Sequence, residues 1–146
     1  MLTQAEKGAA FAELHKRAGT FIIPNPWDAG SARLLAHLGF EALATSSAGY
    51  AFSIGKADNA VGRDGTLSHA EAVAAATYVP LSIDLENGFG DAPEMVAETI
   101  RLAAATGAVG GSIEDATERA EDPLYERELA VDRIRAAAEV GQQLPF

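Results

Sequence analysis

Asp84 and Glu86 stand two residues apart at the end of the apolar run Leu81-Ser82-Ile83, and a glycine loop, Asn87-Gly88-Phe89-Gly90-Asp91, follows them. Alternate side chains of a strand share a face, so a strand here would point both carboxylates the same way. Two acids side by side at the end of a buried strand repel one another and lose hydration, which is costly unless a cation compensates. A hard ion such as Mg²⁺ is the simplest compensation, because it prefers oxygen donors. The same residues also have a plain structural use. Asp and Asn-Gly mark strand ends and turns, and Asp91 before Ala92-Pro93 reads as a helix start.

Other polar residues recur at comparable places: Asn25 and Asp28 after Phe21-Ile22-Ile23, Ser46 and Ser47 after Ala42-Leu43-Ala44-Thr45, Glu114 and Asp115 at the end of the run from Val109 to Glu114. Each of these apolar runs reads as a short buried strand. Between them lie helical patterns: Gln4 to Arg17 closed by Gly19, Ala29 to Leu38 capped by Asp28, Ser68 to about Ala76 with Glu71 in the capping-box position, Pro93 to Ala105, and Glu126 to Val140. Ser46 to Thr66, rich in Ser, Gly and Asp, reads as a long functional loop. Leu144-Pro145-Phe146 reads as the beginning of a fifth strand. Strands this apolar, alternating with helices, predict a parallel sheet covered by helices.

Polar residues gathered where strands run into helices are the arrangement of a (β/α)₈ barrel. A doubly wound sheet would carry a glycine-rich phosphate loop after its first strand, and Asn25-Pro26-Trp27-Asp28 is nothing of that kind. A full barrel takes roughly 250 residues, and this sequence has 146. The expected fold is therefore α/β, a single partial domain over residues 1–146 forming the N-terminal half of a (β/α)₈ TIM barrel. A net charge of −10 argues against a nucleic-acid or anionic-membrane partner. The absence of cysteine excludes disulfides, thiolate metal sites and thiol catalysis. No apolar run approaches the roughly 20 residues that span a bilayer, and no signal-peptide pattern opens the sequence, so a cytoplasmic protein is expected.

Four motifs resemble the isocitrate lyase and phosphoenolpyruvate mutase superfamily, which includes methylisocitrate lyases, phosphonopyruvate hydrolases and oxaloacetate decarboxylases. They are Pro24-Asn25-Pro26-Trp27-Asp28-Ala29-Gly30-Ser31-Ala32-Arg33, Thr45-Ser46-Ser47-Ala48-Gly49, Asp84-Leu85-Glu86-Asn87-Gly88-Phe89-Gly90 and Ser112-Ile113-Glu114-Asp115. The resemblance implies a barrel of the phosphoenolpyruvate/pyruvate-domain type and an essential Mg²⁺ held at Asp84. Glu86, Glu114 and Asp58 would bind mostly through the ion's waters, with Asp58 and Glu114 the expected catalytic carboxylates. Ser46, Ser47 and Ala48 would grip the substrate's carboxylate. It implies a 2-oxo or 2-hydroxy acid substrate, passage through an enolate of pyruvate, and a homo-oligomer.

Lyases of that superfamily use a loop cysteine after the fourth strand as catalytic acid, whereas residues 116–125 here contain no thiol. That disfavours isocitrate-type cleavage and leaves oxaloacetate decarboxylation or P–C bond chemistry. The run from Ser68 to Asp84 is several residues shorter than is usual there. A substrate-binding arginine that the superfamily places on the fifth strand is absent. Residues 116–125 would be a mobile gate over the site. The alternative is a non-catalytic fragment, or a half barrel that self-associates through its open sheet edges. Without the resemblance, Asp58 reads as a solvated loop residue, Glu114 as a partner for Arg119, and Ser46 and Ser47 as a strand end. Asp28 reads as a helix cap and Trp27 as packing or pocket wall. His15, His37 and His69 lack a spacing that would let two share a metal, and read as structural or surface residues.

Overall fold

The computed structural model describes residues 2–146. In chain order it contains α1 (Gln4–Lys16), α2 (Ala29–His37), β1 (Leu43–Ala44), α3 (Ser47–Ser53), α4 (Arg63–Ala76) and β2 (Leu81–Asp84). Then follow α5 (Pro93–Ala105), β3 (Gly110–Ser112), β4 (Ala116–Arg119), β5 (Asp122–Leu124) and α6 (Arg127–Gly141). Strands β1, β2 and β3 form a parallel sheet in sequential order, with Leu43 beside Leu81 and Ile83 beside Gly111. Sequential order with helical crossovers is the barrel pattern. A doubly wound sheet would reverse its strand order midway.

The core lies between this sheet and the helices that cover it. Leu43, Leu81, Ile83 and Leu85 meet Ala32, Val73, Val96 and Ile100 there, all buried. Small alanine faces on α2, α4 and α5 let these helices approach the strands closely. Helix α1 buries no residue of its own. It is held by long-range polar anchors at the N-terminal ends of the strands. The Gln4 amide donates to the carbonyls of Ala104 and Ala108, both at 2.7 Å, and the Lys7 ammonium donates to the Thr77 carbonyl at 3.1 Å. Just past the helix, Arg17 forms a two-pronged pair with Glu41 at 2.9 and 2.8 Å. The chemistry-bearing residues lie at the opposite, C-terminal ends.

Four sequence expectations change. Phe21-Ile22-Ile23 is not a strand. The segment runs beside β1, with the Ala44 N–H donating to the Pro24 carbonyl and the Asn25 amide donating to the Ala44 carbonyl. Pro24 and Pro26 have no N–H, so no further rung forms. The long loop is broken by α3, which Ser46 caps through its hydroxyl. Helix α4 begins at Arg63, so Ser68 and Glu71 are interior residues and not a capping box. Leu144-Pro145 is a turn, with Phe146 packed partly into the core.

Candidate functional site

Asp84 is the last residue of β2, and both oxygens of its carboxylate accept hydrogen bonds. One oxygen accepts from the Ser47 N–H at 2.9 Å and from the Ser47 hydroxyl at 2.8 Å. The other accepts from the Glu86 N–H at 3.1 Å, while the Asp84 N–H donates to the Thr45 hydroxyl at 3.0 Å. The β1–α3 junction and the end of β2 therefore form one unit. Ser46 is committed to its cap, Ser47 is turned onto Asp84, and Ala48 lies in the first turn of α3.

Strand alternation does not place Glu86. The strand stops at Asp84, Leu85 enters the core, and Glu86 adopts φ of 49°, followed by Gly88 at 81° and Phe89 at 60°. A left-handed conformation in a non-glycine residue costs about 1–2 kcal/mol, so the turn must be held from outside. The Glu86 carbonyl accepts from the Glu114 N–H at 2.8 Å and the Gly88 carbonyl from the Thr99 hydroxyl at 2.8 Å. Glu86 is only 4% exposed, and its Oε1 has no hydrogen-bond partner. Burial, then the charges of Glu118, Asp84, Asp58 and Glu114, push its carboxyl up to about 7. Glu114, itself exposed, is raised by partial burial first and then by Asp84, Asp58, Glu118 and Asp115.

Five carboxylates thus share one electrostatic field, among them every acid singled out in the sequence for the metal shell. They do not close on a common point. Among the described residues no three acidic or histidine side chains form a group that could hold a bare ion. Asp58 sits on an exposed loop with one oxygen accepting from the Asn59 N–H. An orphaned buried oxygen among all-oxygen donors, too spread to ligate directly, fits a hydrated hard cation such as Mg²⁺, which keeps several of its waters.

A cavity of about 570 Å³ opens beside Glu86, lined among others by Asn87, Phe89, Asn59, Arg63 and Glu118. Asp84, Ser46, Ser47, Ala48, Asp58 and Glu114 do not line it. Glu118 reaches it from the hairpin of β4 and β5, where it holds φ of 62°. Residues 116–125, expected as a gate, contain this antiparallel hairpin, and Tyr125 closes it by donating its N–H to the Asp115 carbonyl at 2.9 Å. Sequence reasoning missed Glu118, because it sits in a mixed charged run that reads as solvated. Arg119 pairs with Asp91 at 2.9 Å and not with Glu114. Asp91 caps no helix. The Tyr125 hydroxyl and then Arg119 hold its carboxyl below the usual range.

Tyr50 of α3, His69 of α4 and Trp27 form an aromatic cluster. His69 is buried, stacks on Tyr50 with ring centroids 3.9 Å apart, and meets the Trp27 carbonyl through Nε2 at 3.0 Å. Burial holds its pKa below the ordinary histidine value. Trp27 lies over Gly49, where an added Cβ would come within 2.4 Å of the indole nitrogen. Gly49→Ala is expected to expel the ring at a cost of about 1–3 kcal/mol. Trp27 is the sole tryptophan, so its fluorescence reports the change directly. A red-shifted emission with lowered stability is the expected result, and an unmoved spectrum refutes the packing.

Comparison with known proteins gives a consistent picture. The family model described as phosphoenolpyruvate phosphomutase matches residues 11–146. An uncharacterized protein of Mycobacterium tuberculosis is 32% identical over 127 residues, covering 87% of this chain and 47% of its own length. The chain thus spans about half the length of the curated relatives it matches. A solved structure of a candidate lyase/mutase from Burkholderia cenocepacia superposes with a TM-score of 0.95 at 64% identity, over 98% of this chain and 51% of that one. 2,3-Dimethylmalate lyase, a member of the PEP mutase/isocitrate lyase superfamily, superposes with a TM-score of 0.82 at 29% identity, over 98% and 50%. The architecture is that of the N-terminal half of the superfamily's TIM barrel.

Proposed function

Because the chain belongs to the phosphoenolpyruvate phosphomutase family, we propose that it supplies, as one partial domain, the metal-carrying half of a Mg²⁺-dependent lyase or mutase. The substrate would be a 2-oxo or 2-hydroxy acid, broken at an adjacent C–C or P–C bond. The observation that carries this reading is the buried, unpartnered Oε1 of Glu86 within a field of four further carboxylates. Such an atom is costly in an empty acidic site and is satisfied by a cation with its waters.

Asp84 would hold the ion, with Glu86, Glu114 and Asp58 reaching it through water. When bound, Mg²⁺ supplies Lewis-acid stabilisation of the negative charge that develops on the substrate's oxygens. The chain's own residues bind and orient. Ser47 presents an N–H and a hydroxyl at the end of β1, both now given to Asp84. In the proposed complex it exchanges that partner for the substrate carboxylate, beside Ser46 and Ala48. Arg63 is the cationic side chain lining the cavity at the N-terminus of α4. The missing thiol favours decarboxylation of oxaloacetate or phosphonopyruvate-type chemistry, neither of which needs a cysteine acid.

Oxalate, a flat dianion shaped like the enolate of pyruvate, is the natural probe. With Mg²⁺ at about a hundredfold over its dissociation constant it is expected to stabilise the chain by about 2.7 kcal/mol, raising the melting midpoint by roughly 8 °C. Asp84→Ala is expected to abolish the shift. A wild-type melt blind to Mg²⁺ and oxalate together would sink the reading. A second reading, a self-associating half barrel, is favoured by the outer edge of β3, which has no strand partner among the described residues. Sedimentation at several concentrations separates it. A homo-oligomer that neither ion nor oxalate stabilises supports the second reading over the first.

A further inference from the structure

Arg133 is 1% exposed, and its guanidinium forms no ion pair among the described residues. A buried cation without a carboxylate partner survives only if its donors are otherwise satisfied. One nitrogen donates to the carbonyls of Gly90 and Asp91, the latter at 3.0 Å, and another donates to the Asn87 carbonyl. Its flat face lies 3.8 Å from the centre of the Tyr125 ring. Tyr125 continues the network. Its hydroxyl donates to the Asp91 carboxylate at 2.6 Å and accepts from the Asn87 amide at 3.2 Å.

With these bonds, every carbonyl from Leu85 to Asp91 except that of Phe89 has a donor among the described residues. The Leu85 carbonyl is taken by the Gly88 N–H, that of Glu86 by Glu114, that of Gly88 by Thr99, and those of Asn87, Gly90 and Asp91 by Arg133. Within the turn only the Gly88 N–H and the Phe89 N–H find partners, on Leu85 and the Asn87 side chain, and left-handed φ at both Glu86 and Phe89 needs support from outside as well. A rigid fork from α6 supplies it. We propose that Arg133, with Tyr125 beneath it, is the positioning residue of the site. It clasps the 87–91 turn from behind and so fixes where Glu86 presents its carboxyl to the cavity, touching neither ion nor substrate.

The test compares Arg133→Met, Arg133→Lys and Tyr125→Phe in this chain by amide hydrogen exchange and by calorimetric titration with Mg²⁺ and oxalate. In Arg133→Met the Glu86, Gly88 and Phe89 amides are expected to exchange at least tenfold faster, while those of Ile83 and Val109 in the sheet change less than threefold. Affinity for Mg²⁺ with oxalate is expected to fall at least tenfold. Arg133→Lys keeps the charge without the fork and is expected to lie between, and Tyr125→Phe to accelerate the turn amides less than Arg133→Met, with a correspondingly smaller loss of affinity. Equal acceleration in turn and sheet would make Arg133 a general stabiliser and overturn the proposal. So would an unaccelerated turn, or an accelerated one with unchanged affinity. If the methionine variant does not fold, the lysine variant carries the same comparison. The ligand arm rests on the functional reading above. Wild type that binds no Mg²⁺ and oxalate refutes that reading, and the exchange arm still decides the clasp.

Discussion

Glu86→Gln is expected to make the metal-free chain more stable, by at most about 3 kcal/mol above pH 7. The sign follows from the carboxyl's displacement from its ordinary 4.5 to about 7 by burial and by the charges around it. Below pH 4.5 the acid is protonated in the folded and the unfolded chain alike, and the variant gains little. Between 4.5 and 7 the unfolded chain releases the proton first, so wild-type stability falls as the pH rises. Above 7 the folded chain carries a buried charge that glutamine never acquires. Urea unfolding in chelator at pH 4.5, 6 and 8 should show the difference between the two proteins growing from near zero to its plateau. Added Mg²⁺ should then restore wild type and leave the variant unmoved. A difference that does not vary with pH would mean that Glu86 is solvated after all.

Leu85→Ala is expected to cost about 3 kcal/mol at every pH, within the usual range of 2–5 for emptying a leucine site in a core. Leu85 is fully buried between the two acids in sequence, and an added Cβ on Gly111 would come within 3.0 Å of its methyl. The tightness of that contact leaves the site little room to collapse. Against a typical total of about 5–15 kcal/mol for a domain, the loss is large. Urea midpoints at pH 6 and 8 check it: the Leu85 deficit should be the same at both, whereas the Glu86 gain should not. Neighbouring residues of one motif would then be separated into a packing half and an electrostatic half. A deficit under 1 kcal/mol would mean that the core does not extend to the end of β2.

The elements that the sequence made legible are those in which local pattern and tertiary need agree. Leu81 to Asp84 is a strand and Pro93 to Ala105 a helix as expected, one from its apolar run and the other from proline at its first turn. The first strand failed because periodicity counts side chains, whereas a ladder counts donors, and Pro24 and Pro26 offer none. Helix α3 was hidden because Ser46-Ser47-Ala48-Gly49 has loop composition, although its first serine is a cap. Within the site, Asp84 and Glu86 were visible as a pair, yet the placement of Glu86 comes from a left-handed turn that alternation cannot anticipate. Arg133 and Tyr125 were invisible for a different reason. Their partners lie 34 to 46 residues away, and an arginine in a charged helix looks like any solvated one.

The anchors of α1 have a consequence for the order in which the molecule is made. A Gln4 amide that waits for the carbonyls of Ala104 and Ala108 has nothing to dock on until a hundred further residues have left the ribosome. At roughly 5–20 residues per second that interval is about 5–20 s. Through it the helix has its capping box at Thr3 and Glu6 but no buried face to hold it. Vectorial synthesis therefore completes β1, β2 and α5, and stops just short of β3, before the Gln4 anchor at the strands' N-terminal ends can form. A nascent chain arrested between Thr77 and Ala104 should hold α1 by Lys7 and Arg17 alone and be more open to proteolysis at its junction with the first apolar segment than the finished chain.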